Sequence, residues 1–326
     1  MKADYNTIIS DIGEVAREYD AICILGPTAC GKTGFAVKLA LEIEKALPGS
    51  KGEILSADSR QVYRGMDIGT GKDIEEYTIE FGGEGKTIPY HLIDIADPGE
   101  KYNIFLYQKD FSKAYISIRE RGNIPIICGG SGLYIEAATM CYELADVKPD
   151  NELRQRLEQK SMKELIEIFT DLKRQNGSKP HNKTDFDTKK RVIRAIEIEE
   201  YSLKHKELPN LSQMELPQNI FYIGLDVSKE TRVERIDRRL AARLESGMIE
   251  EIQKLLDKGI PSEDLIYYGL EYKYVTQYII GELQYDEMVE KLRIAIHRFA
   301  KRQMTWFRGM ERKGVKINWI ELPEGR

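Results

Sequence analysis

Residues 26–33 read Gly-Pro-Thr-Ala-Cys-Gly-Lys-Thr and match G-x-x-x-x-G-K-[ST] at every fixed position. The apolar run "AICIL" (21–25) leads into them, and helical spacing resumes in "TGFAVKLALEIEKAL". Strand, glycine loop and helix in that order is the setting a phosphate-binding loop requires. The glycines let the backbone curl so that its N–H groups face phosphate oxygens. The helix behind adds the positive end of its dipole. Gly26, Pro27, Thr28, Ala29, Cys30, Gly31, Lys32 and Thr33 are therefore the candidate phosphate-binding residues. Among them Lys32 neutralises the outer phosphate and the Thr33 hydroxyl ligates Mg²⁺. Cys30 stands where a helix N-terminus can depress a thiol pKa, although a plain small-residue role is the stronger reading.

Short strands alternate with longer helices along the next part of the chain. Strands are expected at 21–25, 53–58, 90–97, at the start of "IPIICGGSGLY", and at 220–226, with a helix in "YNIFLYQKDFSKAYISIRERG". A leader helix is expected over 8–19. This alternation implies an α/β fold with a P-loop NTPase-like parallel sheet. The boundaries read as a first part of the core at 1–145, a helical insertion at 146–188, and core completion with a basic, largely helical C-terminal part at 189–326. The insertion is charged, free of strand patterns and ends in a Gly-Ser-Lys-Pro break.

The loop by itself admits a kinase, an ATPase, a GTP switch or a prenyl-diphosphate enzyme. Asn182-Lys183-Thr184-Asp185 spells the guanine-reading N-K-x-D, but the polar "NGSKPH" before it is no strand, so the match reads as coincidence. Asp58, Asp94 and Asp226 are candidates for a metal-binding Asp at a strand end, and none has a long apolar lead.

A formal net charge of -5 argues against a uniformly basic nucleic-acid coat, yet leaves room for local basic faces. Arg232, Arg235, Arg239 and Arg243 fall on one helical face. Lys189, Lys190, Arg191 and Arg194 form a second cluster. The third contains Arg293, His297, Arg298, Lys301, Arg302 and Arg308, interleaved with Phe299, Trp306 and Phe307, which read as core more than as base-stacking rings. The four cysteines make no CxxC pair and no zinc spacing. No stretch approaches the ~18 apolar residues of a membrane span, and the polar opening differs from a secretory signal. The expectation is a soluble, reduced, cytoplasmic protein with no membrane partner.

A second landmark is "SADSRQVYRGMDIGTGK" (56–72). It is followed by "PYHLIDIADP" (89–98), "GGSGLY" (129–134), "RVIRAIE" (191–197) and "AKRQMTWFR" (300–308). With the phosphate loop, these ordered signposts resemble the tRNA dimethylallyltransferases, also called tRNA isopentenyltransferases, from about residue 21 to 308. The resemblance implies transfer of a dimethylallyl group from dimethylallyl diphosphate to N6 of the adenosine just 3′ of a tRNA anticodon. Diphosphate leaves, and Mg²⁺ assists.

On this resemblance Asp58 is the base that accepts the amine proton, with Mg²⁺ ligation through water as its competing role. Thr33 touches both metal and diphosphate, and Arg239 lies near the diphosphate. Ser59, Arg60, Gln61 and Ser131 are placed at the RNA substrate with Asp58. Lys190, Arg191 and Arg194, and Lys301, Arg302 and Gln303, are placed toward the anticodon stem-loop. A monomer is expected. An adenylate isopentenyltransferase and a small-molecule kinase are the alternatives. The sequence departs from the family pattern at Cys30 (usually Ser), at Ser131 (usually Thr), and at Gly269-Leu270-Glu271-Tyr272, where the family shows G-Y-[KR]-[EQ].

Overall fold

In the computed structural model, residues 4–81, 84–140, 144, 146–177, 188–205 and 214–322 are described. Two short helices, α1 (Tyr5–Ser10) and α2 (Ile12–Glu18), stand where one leader helix was expected, because the chain turns at Asp11, which caps the first. Then come β1 (Ala21–Leu25), α3 (Lys32–Ala46), β2 (Gly52–Ser56), a hairpin of β3 (Thr78–Phe81) and β4 (Glu84–Thr87), and β5 (Tyr90–His91). They are followed by α4 (Ile104–Glu120), β6 (Ile124–Gly129) and α5 (Gly132–Thr139). Next in order are α6 (Asn151–Glu158), α7 (Met162–Gln175), α8 (Lys189–Lys204) and β7 (Ile220–Asp226). The chain closes with α9 (Lys229–Glu245), α10 (Met248–Asp257), α11 (Ser262–Tyr267), α12 (Leu270–Ile279), α13 (Tyr285–Arg312) and β8 (Ile317–Glu321).

The chain divides into two compact units, Met1–Tyr142 with Glu215–Arg326, and Glu143–Met214. In the first, six strands form one sheet in the order β5-β2-β6-β1-β7-β8, and every pairing is parallel. β1 and β6 are buried along their whole length, which is why both read as unbroken apolar runs rather than alternating ones. Alternate residues serve two cores. Ile22 and Ile24 pack with Leu39 and Ile43 of α3, while Cys23 and Leu25 pack with Tyr107, Phe111 and Phe307. A third core lies among α9 to α13 and takes in Val62, Tyr63 and Met66 from the segment after β2.

That third core explains two differences from the expected strands. β2 stops at Ser56, so Asp58 sits two residues beyond it. The expected strand at 90–97 is only two residues long, because Leu92 (φ 66°) and Asp94 (φ 56°) turn the backbone. Ile95 N and Ala96 N then donate to Val62 O at 2.8 and 2.9 Å. The buried Lys72 ammonium holds this arrangement, donating to Tyr63 O (2.6 Å), to Asp67 (2.6 Å) and to Asp94. On the far side, the Glu251 carboxylate accepts from the amides of Asp67, Ile68 and Gly69 at 2.9, 2.7 and 3.0 Å. The loop after β2 is thus fixed on one side by the buried Lys72 ammonium and on the other by the half-buried Glu251 carboxylate.

Among the described residues, the second unit packs α6, α7 and α8 around Leu153, Leu157, Leu165, Phe169, Val192, Ile193 and Ile196. It includes α8, which the sequence reading gave to the main core. The apolar face of α8 finds its partners on α6 and α7 instead. Asn182 to Asp185 lie outside the described residues. Among the described residues no helix is long and apolar enough to cross a membrane.

Candidate active site

β1 runs in the middle of the sheet and delivers residues 26–33 beyond its C-terminal end, where parallel α/β sheets form their binding crevice. Within the loop Ala29 (φ 61°) and Gly31 (φ 85°) are left-handed. This alternation of hand curls the amides into a concavity that suits an anion. Lys32 opens α3, and its Nζ folds back to donate to Pro27 O at 2.7 Å. Thr33 follows in the first helical turn. Cys30 is fully buried, and burial outweighs the nearby Lys32 to hold its thiol above the ordinary value. Its burial supports the small-residue packing role for Cys30.

Three loops converge at this end of the sheet. Ala57 N donates to Cys128 O (2.8 Å) and Ser131 N to Ala57 O (3.3 Å), so the turn after β6 lies along the Asp58 loop. Ser131 Oγ accepts from Ser59 N at 3.1 Å and reaches Ser59 Oγ at 3.3 Å. Arg60 N donates to Asp58 Oδ1 at 2.9 Å, which fixes the half-buried carboxylate. Gln61 accepts from Ser56 Oγ (2.9 Å) and donates to Gly71 O (3.1 Å). Ser131 and Gln61 thus position the Asp58 loop. The Arg60 guanidinium lies 5.9 Å from the centre of the exposed Tyr267 ring.

Gln303 is the largest departure from expectation. It is 7% exposed, its Oε1 accepts from Thr28 N at 2.8 Å and its Nε2 donates to Gly130 O at 2.9 Å. Its amide is consumed as a brace between the phosphate loop and the turn after β6, and presents no edge to a base. A Cβ placed on Gly130 would lie 2.5 Å from Gln303 Nε2 and 3.4 Å from Gly26 O, so this position needs glycine for close approach.

Arg239, from α9, donates to Asp73 and, at 3.4 Å, to Gly71 O. Arg243, one turn on, lies 3.8 Å from Asp73 and 3.8 Å from Glu271. Both arginines line a cavity with Thr28 and Ala29 of the phosphate loop. Gly71 O accepts both from Gln61 of the Asp58 loop (3.1 Å) and from Arg239 (3.4 Å), which brings that loop against the arginines. Of the other candidate aspartates, Asp94 is tied to Lys72, and Asp226 lies 3.5 Å from Arg232.

The RNA-side candidates divide. Lys190 and Arg191 are exposed in the first turn of α8. Arg194 is engaged internally, donating to Glu197 and to Val147 O, both at 2.8 Å. Lys301 and Arg302 are exposed on α13. Arg293 and His297 turn toward Asp237 of α9, at 3.7 and 2.7 Å, and are drawn out of the basic cluster. Phe307 is buried, and the Trp306 ring packs where a side chain on Gly132 would go, so these two belong to the core, whereas Phe299 is exposed, with the Arg302 guanidinium 5.8 Å from its ring centre. Asp73 and Glu251 escaped the sequence reading; Asp73 directly follows the "GTGK" landmark, which is the one signal that pointed to it.

A central parallel strand, a phosphate loop, an adjacent fixed carboxylate and an arginine-lined cavity define a P-loop α/β transferase. The family model for IPP transferase matches residues 61–310, and the chain belongs to that family. It is 55% identical over 305 residues to "tRNA dimethylallyltransferase 2" of Bacteroides fragilis, covering 93% of each chain. Over 305 residues it is 52% identical to "tRNA dimethylallyltransferase 1" of Parabacteroides distasonis, covering 94% of this chain and 93% of the relative. Among solved structures it resembles the full-length tRNA isopentenylpyrophosphate transferase of Bacillus halodurans. That match has a TM-score of 0.62 and 32% identity, and covers 92% of this chain and 89% of the other.

Proposed function

We propose that the chain transfers a dimethylallyl group from dimethylallyl diphosphate to N6 of the adenosine 3′ of a tRNA anticodon, releasing diphosphate. The observation that carries this reading is the fixed Asp58 carboxylate beside the phosphate loop in an IPP transferase family member. The exocyclic amine of adenine is a poor nucleophile, because its lone pair is delocalised into the ring. Asp58 accepts an N6 proton as N6 bonds to C1 of the prenyl group and the C1–O bond to diphosphate breaks. The loop amides, Lys32 and Arg239 stabilise the charge that grows on the leaving diphosphate.

The donor set fits Mg²⁺. Thr33 offers a hydroxyl at the start of α3, a hard oxygen donor of the kind Mg²⁺ takes. Mg²⁺ held there would neutralise diphosphate charge. Lys190, Arg191, Lys301 and Arg302 supply exposed cations for RNA phosphates. In this reading the enzyme works as a monomer.

The test is transfer of label from radiolabelled dimethylallyl diphosphate to an unmodified anticodon stem-loop, with Mg²⁺ and with AMP as a parallel acceptor. Label on the stem-loop is expected. Label on AMP alone, or turnover of ATP with no label transferred, would refute the reading.

A further inference from the structure

We propose that Arg243 is a second donor-binding residue, which grips the outer phosphate of the prenyl diphosphate beside Arg239. This rests on the reading of the phosphate loop as a prenyl-diphosphate site. Arg239 and Arg243 stand one turn apart on α9, and both reach over Gly71 to Asp73. A Cβ on Gly71 would lie 1.5 Å from Arg243 Nη2 and 2.6 Å from Arg239 Nη2. With its φ of 62°, this position must be glycine for the two guanidinium groups to enter together.

The two arginines are not equally satisfied. Arg239 has hydrogen bonds to Asp73 and to Gly71 O. Arg243 reaches Asp73 and Glu271 only at 3.8 Å, beyond hydrogen-bond distance, and its buried Nη2 has no acceptor among the described residues. A buried, incompletely paired guanidinium is costly in a fold that gains nothing from it. The same side chain forms part of the cavity wall that Thr28 and Ala29 share, so an anion on the loop amides meets Arg243 across that cavity.

The electrostatics agree. Burial, with the Arg239 charge, holds Arg243 below the ordinary arginine value, and burial pushes the Glu271 carboxyl up. Each group is destabilised as it stands, and a phosphate against Arg243 relieves the arginine. Glu271 is also the departure from the family pattern, where the family shows a basic residue. Facing it, α9 supplies the cation that α12 lacks. Glu271 then competes with the phosphate for Arg243 and tunes donor affinity.

The experiment uses the full chain and its Arg243→Met, Arg243→Lys and Glu271→Gln variants. Inorganic pyrophosphate with Mg²⁺, orthophosphate and the anticodon stem-loop are titrated separately by calorimetry. Arg243→Met should weaken pyrophosphate about tenfold to a hundredfold, the range for a hydrogen bond to a charged group. Orthophosphate and stem-loop affinities should hold, Arg243→Lys should recover part of the loss, and Glu271→Gln should bind pyrophosphate more tightly. In steady state KM for the donor should rise with KM for RNA unchanged.

Unchanged pyrophosphate affinity in a folded Arg243→Met protein overturns the proposal. So does an equal loss for pyrophosphate and stem-loop, which marks a structural role or an RNA phosphate contact. If Arg243→Met fails to fold, Arg243→Lys and Glu271→Gln decide, and no change in either overturns it. Wild-type protein that binds pyrophosphate yet transfers no prenyl group refutes the reaction instead, so the two failures are separable.

Discussion

Replacing Gln303 with methionine tests how the phosphate loop is held in shape. The side chain keeps its length but loses the acceptor for Thr28 N and the donor for Gly130 O. Two hydrogen bonds of about 1 kcal/mol each are lost, and the buried Gly130 O is left unpaired at a further ~1–3 kcal/mol. Burying the thioether returns about 1 kcal/mol. The net expectation is a loss of about 2–4 kcal/mol from the first unit. Trp306 and Trp319 are the chain's two tryptophans and both lie in that unit, so tryptophan fluorescence during urea unfolding reports on it alone. A slackened loop should also raise KM for the prenyl donor while KM for RNA stays level. An unfolding free energy within ~0.5 kcal/mol of wild type, with a rise confined to KM for RNA, would refute the brace and return Gln303 to a contact with the anticodon stem-loop.

Other substitutions probe the surrounding framework. Gly71→Ala should raise donor KM at least tenfold in steady-state assays, since its methyl group enters the space of both arginines. Lys72→Met should cost about 1–3 kcal/mol in urea unfolding and speed proteolysis within 64–73. The cost is modest because Asp67 and Asp94 are 60% and 42% exposed and stay hydrated, so no buried charge is stranded. Glu53 is pushed up by burial, but hydrogen bonds from Arg121, Asn123 and His91 outweigh this and hold it below its ordinary 4.5. Its stabilisation is therefore complete above about pH 4.5 and is lost as the pH falls through the lower folded value. Glu53→Gln should lower stability at pH 7 and flatten the acid limb of a fluorescence-monitored pH titration.

What the sequence revealed and what it hid differ in range. β1 and β7 were legible because a strand buried on both faces is a short continuous apolar run, a local property. The phosphate loop was legible for the same reason, since its chemistry is contained in eight consecutive residues. Gln303 was misread because its partner Thr28 lies 275 residues away, and nothing in "KRQMTW" marks the amide as consumed. Arg194 carries the same lesson, for a basic residue in a basic cluster gives no sign of the buried carboxylate at Glu197. Helix α8 showed an apolar face without showing which helices would cover it. The bend that ends the strand at 91 depends on Lys72 being buried between two aspartates, which pattern alone does not disclose. The hairpin of β3 and β4 went unseen because its strands are four residues each and largely polar.

Single-turnover transfer by the Asp58→Ala enzyme tests the central claim most directly. Wild-type and mutant protein are saturated with dimethylallyl diphosphate and Mg²⁺, mixed with the anticodon stem-loop, and followed by label on the RNA. As the general base, Asp58 should account for about 10²- to 10⁴-fold in the transfer rate, while pyrophosphate affinity in Mg²⁺ stays at the wild-type value. A mutant that transfers at the wild-type rate, or one that loses Mg²⁺-dependent pyrophosphate binding in step with transfer, would contradict the account.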